Sequence, residues 1–529
     1  MELPLLLFQS LLLCFLFLLF KSVTHSPTKN SKLGLPPGPW KLPIIGSIHH
    51  LAGDLPHRRL HRLSLTHGPL FHLKLGEIHH VVASTAATAH EILKTHDLAL
   101  ASRPALAAIK TIAYDCAGMG FSPYGPYWRQ LRKICAVELL SSKRVKSFAP
   151  IRRDEAAKAV GEIRRRGLRS SPVNMTELFL GLTNNHLTRA AFGKECRSRE
   201  RFLRAMKETI KLAPVLSLVD LFPSAAAVIG LFDGKIKRMR KLHGEVDAIL
   251  NEIIEEHRES RGGDQESGEL EEKREEDLVD VLMRVQESGE LEIPLKMLHI
   301  KAVILDMLVA ATETTSSTLV WVMTELIRHP EIMNKVQLEI REAHGGRKTM
   351  EESDLDDFRY LKRVIKETLR LHPPLPLLLP RTCSETVKLS GFAVPGGSRV
   401  MVNAWAIGRD PAIWEAPNSF FPDRFEESST DFMSGNFSYI PFGGGRRTCP
   451  GMVFAMSGLE LFLAELLLRF DWKLPLGMGP EELDMEEEFD GSLRRKNDLC
   501  LISIPWDCRF EESCVHLDSA PVATVQCTV

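Results

Sequence analysis

Phe442-Gly443-Gly444-Gly445-Arg446-Arg447-Thr448-Cys449-Pro450-Gly451 is the stretch on which the reading of this chain turns. Three consecutive glycines, two arginines, a lone cysteine and a further glycine make a poor helix and a poor strand. They suit a loop whose backbone folds tightly against something flat. An apolar helical run follows, Met452 to Leu468, which sets Cys449 just ahead of a helix start. Helix-terminal N–H groups there are expected to lower the thiol pKa and hold negative charge on sulfur, a setting for a single sulfur ligand to a metal. The alternative is the ordinary state of a lone cysteine, a small, buried, inert side chain.

The pattern Phe-x-x-Gly-x-Arg-x-Cys-x-Gly resembles the haem-binding loop of the cytochromes P-450, and here it is complete. The resemblance covers nearly everything from Pro36 to about Pro505. It implies haem b with Cys449 as thiolate ligand to the iron, the ligation that favours O–O cleavage. It also implies Phe442 shielding the sulfur, Arg447 pairing with a haem propionate, and Gly445 and Gly451 allowing close approach.

Composition agrees with one large catalytic unit. The chain has 529 residues and no long Gly/Ser/Pro linker, and its formal net charge of −1 argues against nucleic-acid binding. Ten cysteines lie scattered without a CxxC pair, which argues against a disulfide framework or zinc site and for a reducing, cytosol-facing compartment. Leu3 to Phe20 is apolar apart from Pro4, Gln9 and Ser10. At the helical rise it spans about 27 Å, enough for a thin bilayer such as the endoplasmic reticulum. A cleaved signal would want a basic start and a small-residue cleavage site, but Glu2 leads. Lys21, Lys29 and Lys32 follow the span, so the positive-inside rule keeps the remainder cytosolic. The expected organisation is an anchor over 1–21, a basic and proline-rich hinge over 22–40 containing Leu35-Pro36-Pro37-Gly38-Pro39-Trp40, and a catalytic domain over 41–505. An atypical tail, 506–529, carries Cys508, Cys514 and Cys527.

Leu70 to Leu75 and Val81 to Ala83 read as strands with Gly76 as a turn. Ala101 to Phe121 lacks clean periodicity and reads as a long loop, which the resemblance makes the roof of the substrate pocket. A helix then begins within Phe121-Ser122-Pro123-Tyr124-Gly125-Pro126-Tyr127-Trp128-Arg129-Gln130-Leu131-Arg132-Lys133. Trp128 and Arg132 share one face of it, and the resemblance assigns that face to the propionates. Arg129, Lys133, Lys143, Arg144 and Lys146 form a basic group. It is a solvated face or, by resemblance, the docking patch for an acidic NADPH-dependent reductase. Residues 252–292 are strongly charged and near-repetitive, with Gln265–Glu271 recurring as Gln286–Glu292. They read as a solvated surface connection.

From Pro294 apolar periodicity runs through Leu326 to a stop near Pro330. Inside it, Ala310-Ala311-Thr312-Glu313-Thr314-Thr315 is a polar turn that must find partners or face a wet cavity. Glu313 and Thr314 fall on the resembled family's acid–alcohol pair above the iron. Ala311 stands where that family usually has Gly. Glu367 and Arg370 lie three apart on a helical face, and by resemblance they join Arg424 in a buried network that fixes the haem loop. His372-Pro373-Pro374-Leu375-Pro376-Leu377-Leu378-Leu379-Pro380-Arg381 is too proline-rich for a helix. It matches the strip lining the pocket, with Leu377, Leu378 and Leu379 beside the substrate and Arg381 on a propionate. Ala310 above the iron and Ser492, in Phe489–Leu493, complete that pocket.

The reading is therefore a membrane-anchored haem-thiolate monooxygenase, mainly α with a small β-rich lobe, resembling plant A-type members that oxidise specialised metabolites with O2. The apolar pocket strips favour a terpenoid skeleton. Two other classes stay open: a haem-thiolate isomerase or dehydratase independent of external electrons, and a non-catalytic haem-binding protein.

Overall fold

The computed structural model describes residues 34–506 except 170, 194–197, 213–216, 267–275, 348, 429 and 433–434. The expected anchor, its three lysines, part of the first acidic repeat and the tail beyond 506 lie outside the described residues.

Helices dominate. The longer ones are α1 (Pro56–His67), α2 (Pro126–Ile134), α3 (Ala149–Gly167), α4 (Met175–Phe192), α5 (Arg199–Leu212), α6 (Gly234–Glu266), α7 (Leu278–Glu287), α8 (Met297–Arg328), α9 (Pro330–His344), α10 (Arg359–Leu371) and α11 (Met452–Arg469). The expected helix from Pro294 begins instead at Met297, after Lys296 in an extended conformation. Proline starts α1, α2 and α9, where its missing N–H is no loss. α4 and α9 stop at Gly193 and Gly345, each at positive φ.

α8 is the axis of the helical part. It is the one helix among the described residues long and apolar enough to cross a membrane, but 61% of its most apolar window is buried in the domain, so it is a core helix. Leu319, Val322, Met323 and Leu326 of α8 pack with Phe179 of α4, Val336 of α9, Leu361 and Ile365 of α10, and Phe462 and Leu463 of α11. Part of the polar turn of α8, and Ser317 just beyond it, finds partners in the neighbouring elements. Thr183 donates to the Thr312 carbonyl at 3.3 Å, and Ser317 donates to the Leu493 carbonyl at 2.8 Å.

The β-rich lobe holds a four-stranded sheet in the order β1 (Leu70–Leu75), β2 (Ile78–Ala83), β7 (Arg399–Val402), β4 (Arg381–Thr382). β1 and β2 form the expected hairpin around Gly76 at φ 59, and β2 runs parallel to β7. β5 (Val387–Leu389) pairs with β6 (Phe392–Val394), and β9 (Glu487–Phe489) with β10 (Leu493–Arg495). β3 (Val173–Asn174), β11 (Cys500–Pro505) and β8 (Phe470–Lys473) make a further sheet.

The stretch 101–121 departs from the expected loop. A short helix, Ala107–Ile112, is followed by a turn in which Tyr114, Asp115 and Cys116 all hold positive φ (49, 53 and 62). Three left-handed non-glycine residues in a row are costly, and Tyr114 is anchored from outside by donating to Asp247 Oδ1 of α6 at 2.7 Å.

Candidate active site

Cys449 lies three residues ahead of α11, in a loop closed by its own N–H, which donates to the Phe442 carbonyl at 3.0 Å. Gly445, at φ 68, shows why the glycines are there. A Cβ on it would fall 2.1 Å from the Leu93 carbonyl oxygen and 2.8 Å from Asp97 Oδ1. Gly451 is under no such constraint from the chain itself, since its Cβ direction lies 4.0 Å from Cys449 Sγ, an ordinary contact, and its φ is −87. Phe442 packs edge-on against Phe432 with centroids 5.2 Å apart. The expected lowering of the thiol pKa is corrected by the structure. Burial pushes Cys449 up, and the Gly451 N–H and Arg132 only partly pull it back. A cation facing the sulfur would complete what those two begin.

Around the loop the charge is strongly one-sided. Arg381 donates to Asp97 Oδ1 at 2.9 Å and to the Gly444 carbonyl at 3.0 Å. Arg447 donates to the carbonyls of Ala101, Met119 and Ser122, with its guanidinium 4.1 Å from the Trp128 ring centroid. Arg103 donates to the carbonyls of Gly120, Leu379 and Pro380. Burial lowers all three pKa values; Arg381 further lowers those of Arg103 and Arg447, which falls to about 9, while Asp97 partly restores that of Arg381. Arg132, half-buried on the Trp128 face of α2, is lowered by burial, with the Cys449 and Cys135 sulfurs pulling the other way. Trp128 Nε1 donates to the Met119 carbonyl at 3.0 Å. This is a cradle with more cations than carboxylates around Cys449 and Asp97, and its donor set fits a flat dianionic group bearing a metal. Asp97, Arg103 and Leu93 were not singled out from sequence. Nothing in Lys94-Thr95-His96-Asp97 or Ser102-Arg103-Pro104 marks them, because most of their partners lie hundreds of positions away.

Thr314 donates to the Ala310 carbonyl at 2.6 Å and is half-exposed, while Ala310 is exposed. Glu313, the next residue back, turns elsewhere. It lines a cavity of about 120 Å³ together with Thr312, Ser316, Phe202, Lys207 and Arg494, which Thr314 does not line. Ser492 Oγ donates to Glu313 Oε1 at 3.3 Å, so Ser492, expected to face the substrate, is instead a partner of the acid. A second correction concerns Leu377. It is buried among Leu60, Phe71, Leu73 and Met401 of the β lobe, because its side chain belongs to the sheet's apolar face. Leu378, at φ 51, lies against the Cys449 loop, its Cδ1 3.9 Å from the Gly443 Cβ direction. Leu379 is half-buried and gives its carbonyl to Arg103.

Glu367, Arg370 and Arg424 meet in one buried cluster. Arg370 donates twice to Glu367, at 2.7 and 2.8 Å, and Arg424 donates to it at 3.0 Å. Glu367 also accepts from the Phe421 N–H at 2.8 Å, and Arg370 donates to the Gly408, Pro417 and Ser419 carbonyls. The carboxylate thus pins the segment that leads into the Cys449 loop. Arg129, Lys133, Lys143 and Lys146 are exposed, whereas Arg144 is taken up by the Glu138 and Glu276 carbonyls.

The sequence matches the cytochrome P450 family model over residues 36–500. It is 47% identical to premnaspirodiene oxygenase of Hyoscyamus muticus, over 94% of this chain and 97% of that protein. It is 44% identical to 5-epiaristolochene 1,3-dihydroxylase of Nicotiana tabacum, over 94% and 97%. To desmethyl-deoxy-podophyllotoxin synthase of Sinopodophyllum hexandrum it is 48% identical, over 93% and 96%. A solved zebra fish cytochrome P450 with progesterone superposes with a TM-score of 0.73 at 25% identity, covering 86% of this chain and all of that one. Sulfur loop, arginine cradle, fold and relatives agree: this chain is a cytochrome P450, of the plant monooxygenase type.

Proposed function

We propose that the chain is an endoplasmic-reticulum monooxygenase that oxidises a terpenoid skeleton, drawing electrons from NADPH through a reductase. The observation that carries it is the gathering of Arg103, Arg381 and Arg447 beside the Cys449 loop, where Arg381 pairs with Asp97 and the other two are held by backbone carbonyls. Cys449 would hold the haem iron, Arg132, Arg381 and Arg447 with Trp128 would face the propionates, and Phe442 and Gly451 would flank the sulfur. When bound, the haem supplies the activation of dioxygen. The chain's own groups position and protonate. The Thr314 hydroxyl, held by the Ala310 carbonyl, can exchange that bond for one to a group in the open space beside it. The Glu313 carboxylate, steadied by Ser492 and facing a largely apolar cavity in which Lys207 and Arg494 also stand, can carry protons inward from Lys207 and solvent. Ala310, Leu378 and Leu379 offer the substrate apolar or uncharged surface. Exposed Arg129, Lys133, Lys143 and Lys146 supply the positive face for an acidic reductase, and 3–20 supplies the anchor. The terpenoid assignment draws on the oxygenase and dihydroxylase relatives.

Microsomes carrying the full chain and a plant reductase, fed premnaspirodiene and 5-epiaristolochene, should give hydroxylated product only with NADPH and O2. The reduced protein with carbon monoxide should show the red-shifted Soret band of thiolate ligation, lost in Cys449→Ser. Turnover without NADPH and O2 would transfer the chain to the isomerase or dehydratase class. A thiolate-type band persisting in Cys449→Ser would remove the ligand assignment.

A further inference from the structure

Asp306 was not singled out from sequence and has no part in the chemistry above, yet it occupies a junction. It stands on α8 one turn before Ala310 and two before Thr314, on the same stripe, about 12 Å up the helix from Thr314. Its carboxylate accepts from the Gly120 N–H at 2.8 Å and from the Met119 N–H. The approach is close: a Cβ at Gly118 would fall 2.3 Å from Asp306 Oδ2, so the carboxylate would have to shift. Burial raises the Asp306 carboxyl pKa to about 6, the two N–H groups pulling against it, so near neutral pH it is ionised and accepting.

The short segment it grips faces the cofactor cradle with its other edge. The Met119 carbonyl accepts from Trp128 and Arg447, that of Gly120 from Arg103, that of Ser122 from Arg447, and that of Ala117 from the Tyr127 hydroxyl. A carboxylate bonded to N–H groups on one edge and guanidinium groups bonded to carbonyls on the other make one sandwich, with residues 117–122 as its filling. Upstream, the three left-handed residues Tyr114, Asp115 and Cys116 give this segment stored strain, so it needs holding.

We propose that Asp306 is a positioning residue: by fixing residues 118–122 against α8 it sets the orientation of Arg103, Arg447 and Trp128 around the cofactor and the height of the pocket roof. The proposal deepens the monooxygenase reading and rests on it. Loss of a buried hydrogen bond to a charged acceptor changes a local opening equilibrium by roughly tenfold or more.

The test uses the full-length holoprotein in detergent, comparing wild type with Asp306→Ala, Asp306→Asn and Gly118→Ala. Amide hydrogen exchange in peptides spanning 117–122 should speed up roughly tenfold in Asp306→Ala and Gly118→Ala, with Asp306→Asn between them and wild type, since its amide oxygen still accepts. Haem transfer to an excess of a scavenging apoprotein should accelerate in the same order, and KM should rise more than kcat falls. Should Asp306→Ala not accumulate, Gly118→Ala and Asp306→Asn decide on the same measures. Exchange and haem-transfer rates within twofold of wild type in the folded variants would overturn the proposal. Failure of the wild type itself to give the thiolate-type carbon monoxide band would instead sink the reading of Cys449, with the exchange rates still deciding for Asp306.

Discussion

Thr314 and Glu313 are neighbours in sequence but turn to different surroundings, and their substitution should separate them. Thr314→Ala removes a hydroxyl whose present partner is the carbonyl of Ala310, an internal helix bond that the fold does not need. Haem content and the carbon monoxide spectrum should therefore stay near wild type. NADPH consumption should continue, with a larger share ending as hydrogen peroxide and product per NADPH falling. Glu313→Gln keeps the hydrogen bond from Ser492 but not the charge. It should slow turnover by something between a few-fold and the hundredfold that positioned proton transfer commonly supplies, with little change in coupling. Titration of peroxide and product against NADPH reads both, and wild-type coupling in Thr314→Ala would strip that residue of its assigned task. Ala311 in place of the usual glycine adds a methyl beside this turn, packed against the cluster that includes Leu305 and Leu308.

Among the elements, the joint between α10 and the chain leading to Cys449 carries the clearest stability prediction. Glu367 is fully buried and Arg370 nearly so. Glu367→Ala leaves two guanidinium groups without their shared counter-charge, a kind of break that costs about 3–5 kcal/mol. Thermal unfolding should move down by several degrees and the haem should be lost on purification, while Glu367→Gln should keep part of both; an unchanged melting temperature in Glu367→Ala would refute the clamp. Half of this joint was legible in sequence, because Glu367 and Arg370 are three apart on one helix, while Arg424 joined it only through the family resemblance. Also legible were α8 and α11, whose apolar runs are long, and the Cys449 loop, whose glycines announce a conformation. What was not legible is pairing at a distance. Arg381 and Asp97 are 284 positions apart, and nothing in either neighbourhood names the other. The helix Ala107–Ile112 is too short for periodicity to reveal. Leu377 was misplaced because a proline-rich apolar strip does not say which of its leucines turns to the sheet and which to the cavity.

For the whole molecule, a buried ionic string ties the helical part to the β lobe. His372, after α10, lies 2.7 Å from Glu325 of α8 and 3.5 Å from Glu487 of β9, and Arg58 of α1 donates to Glu487 at 2.6 Å. Burial works against each charge, but the hydrogen bonds from His329 and His372 take Glu325 down to about 2, and those from His372 and His57 lower Glu487 as well. Against the same opposition from burial, Glu325 and Glu487 raise His372 above 6.5. The carboxylates' contribution is therefore complete above their ordinary value of 4.5 and fades as pH falls towards 2. That of His372 is complete below 6.5 and fades as pH rises through its folded value. Stability to urea should peak between about pH 5 and 6.5, and Glu325→Gln should flatten the acid limb; an unaltered limb in that variant would detach the string from the acid response. The arginine cradle has a consequence for the protein's life in the cell. Arg103, Arg381 and Arg447 crowd like charge together, and two propionates would offset it, so the folded chain should gain stability when its cofactor binds. Cells short of haem should then hold less of this enzyme, because the less stable, empty fold is the one that proteases find open.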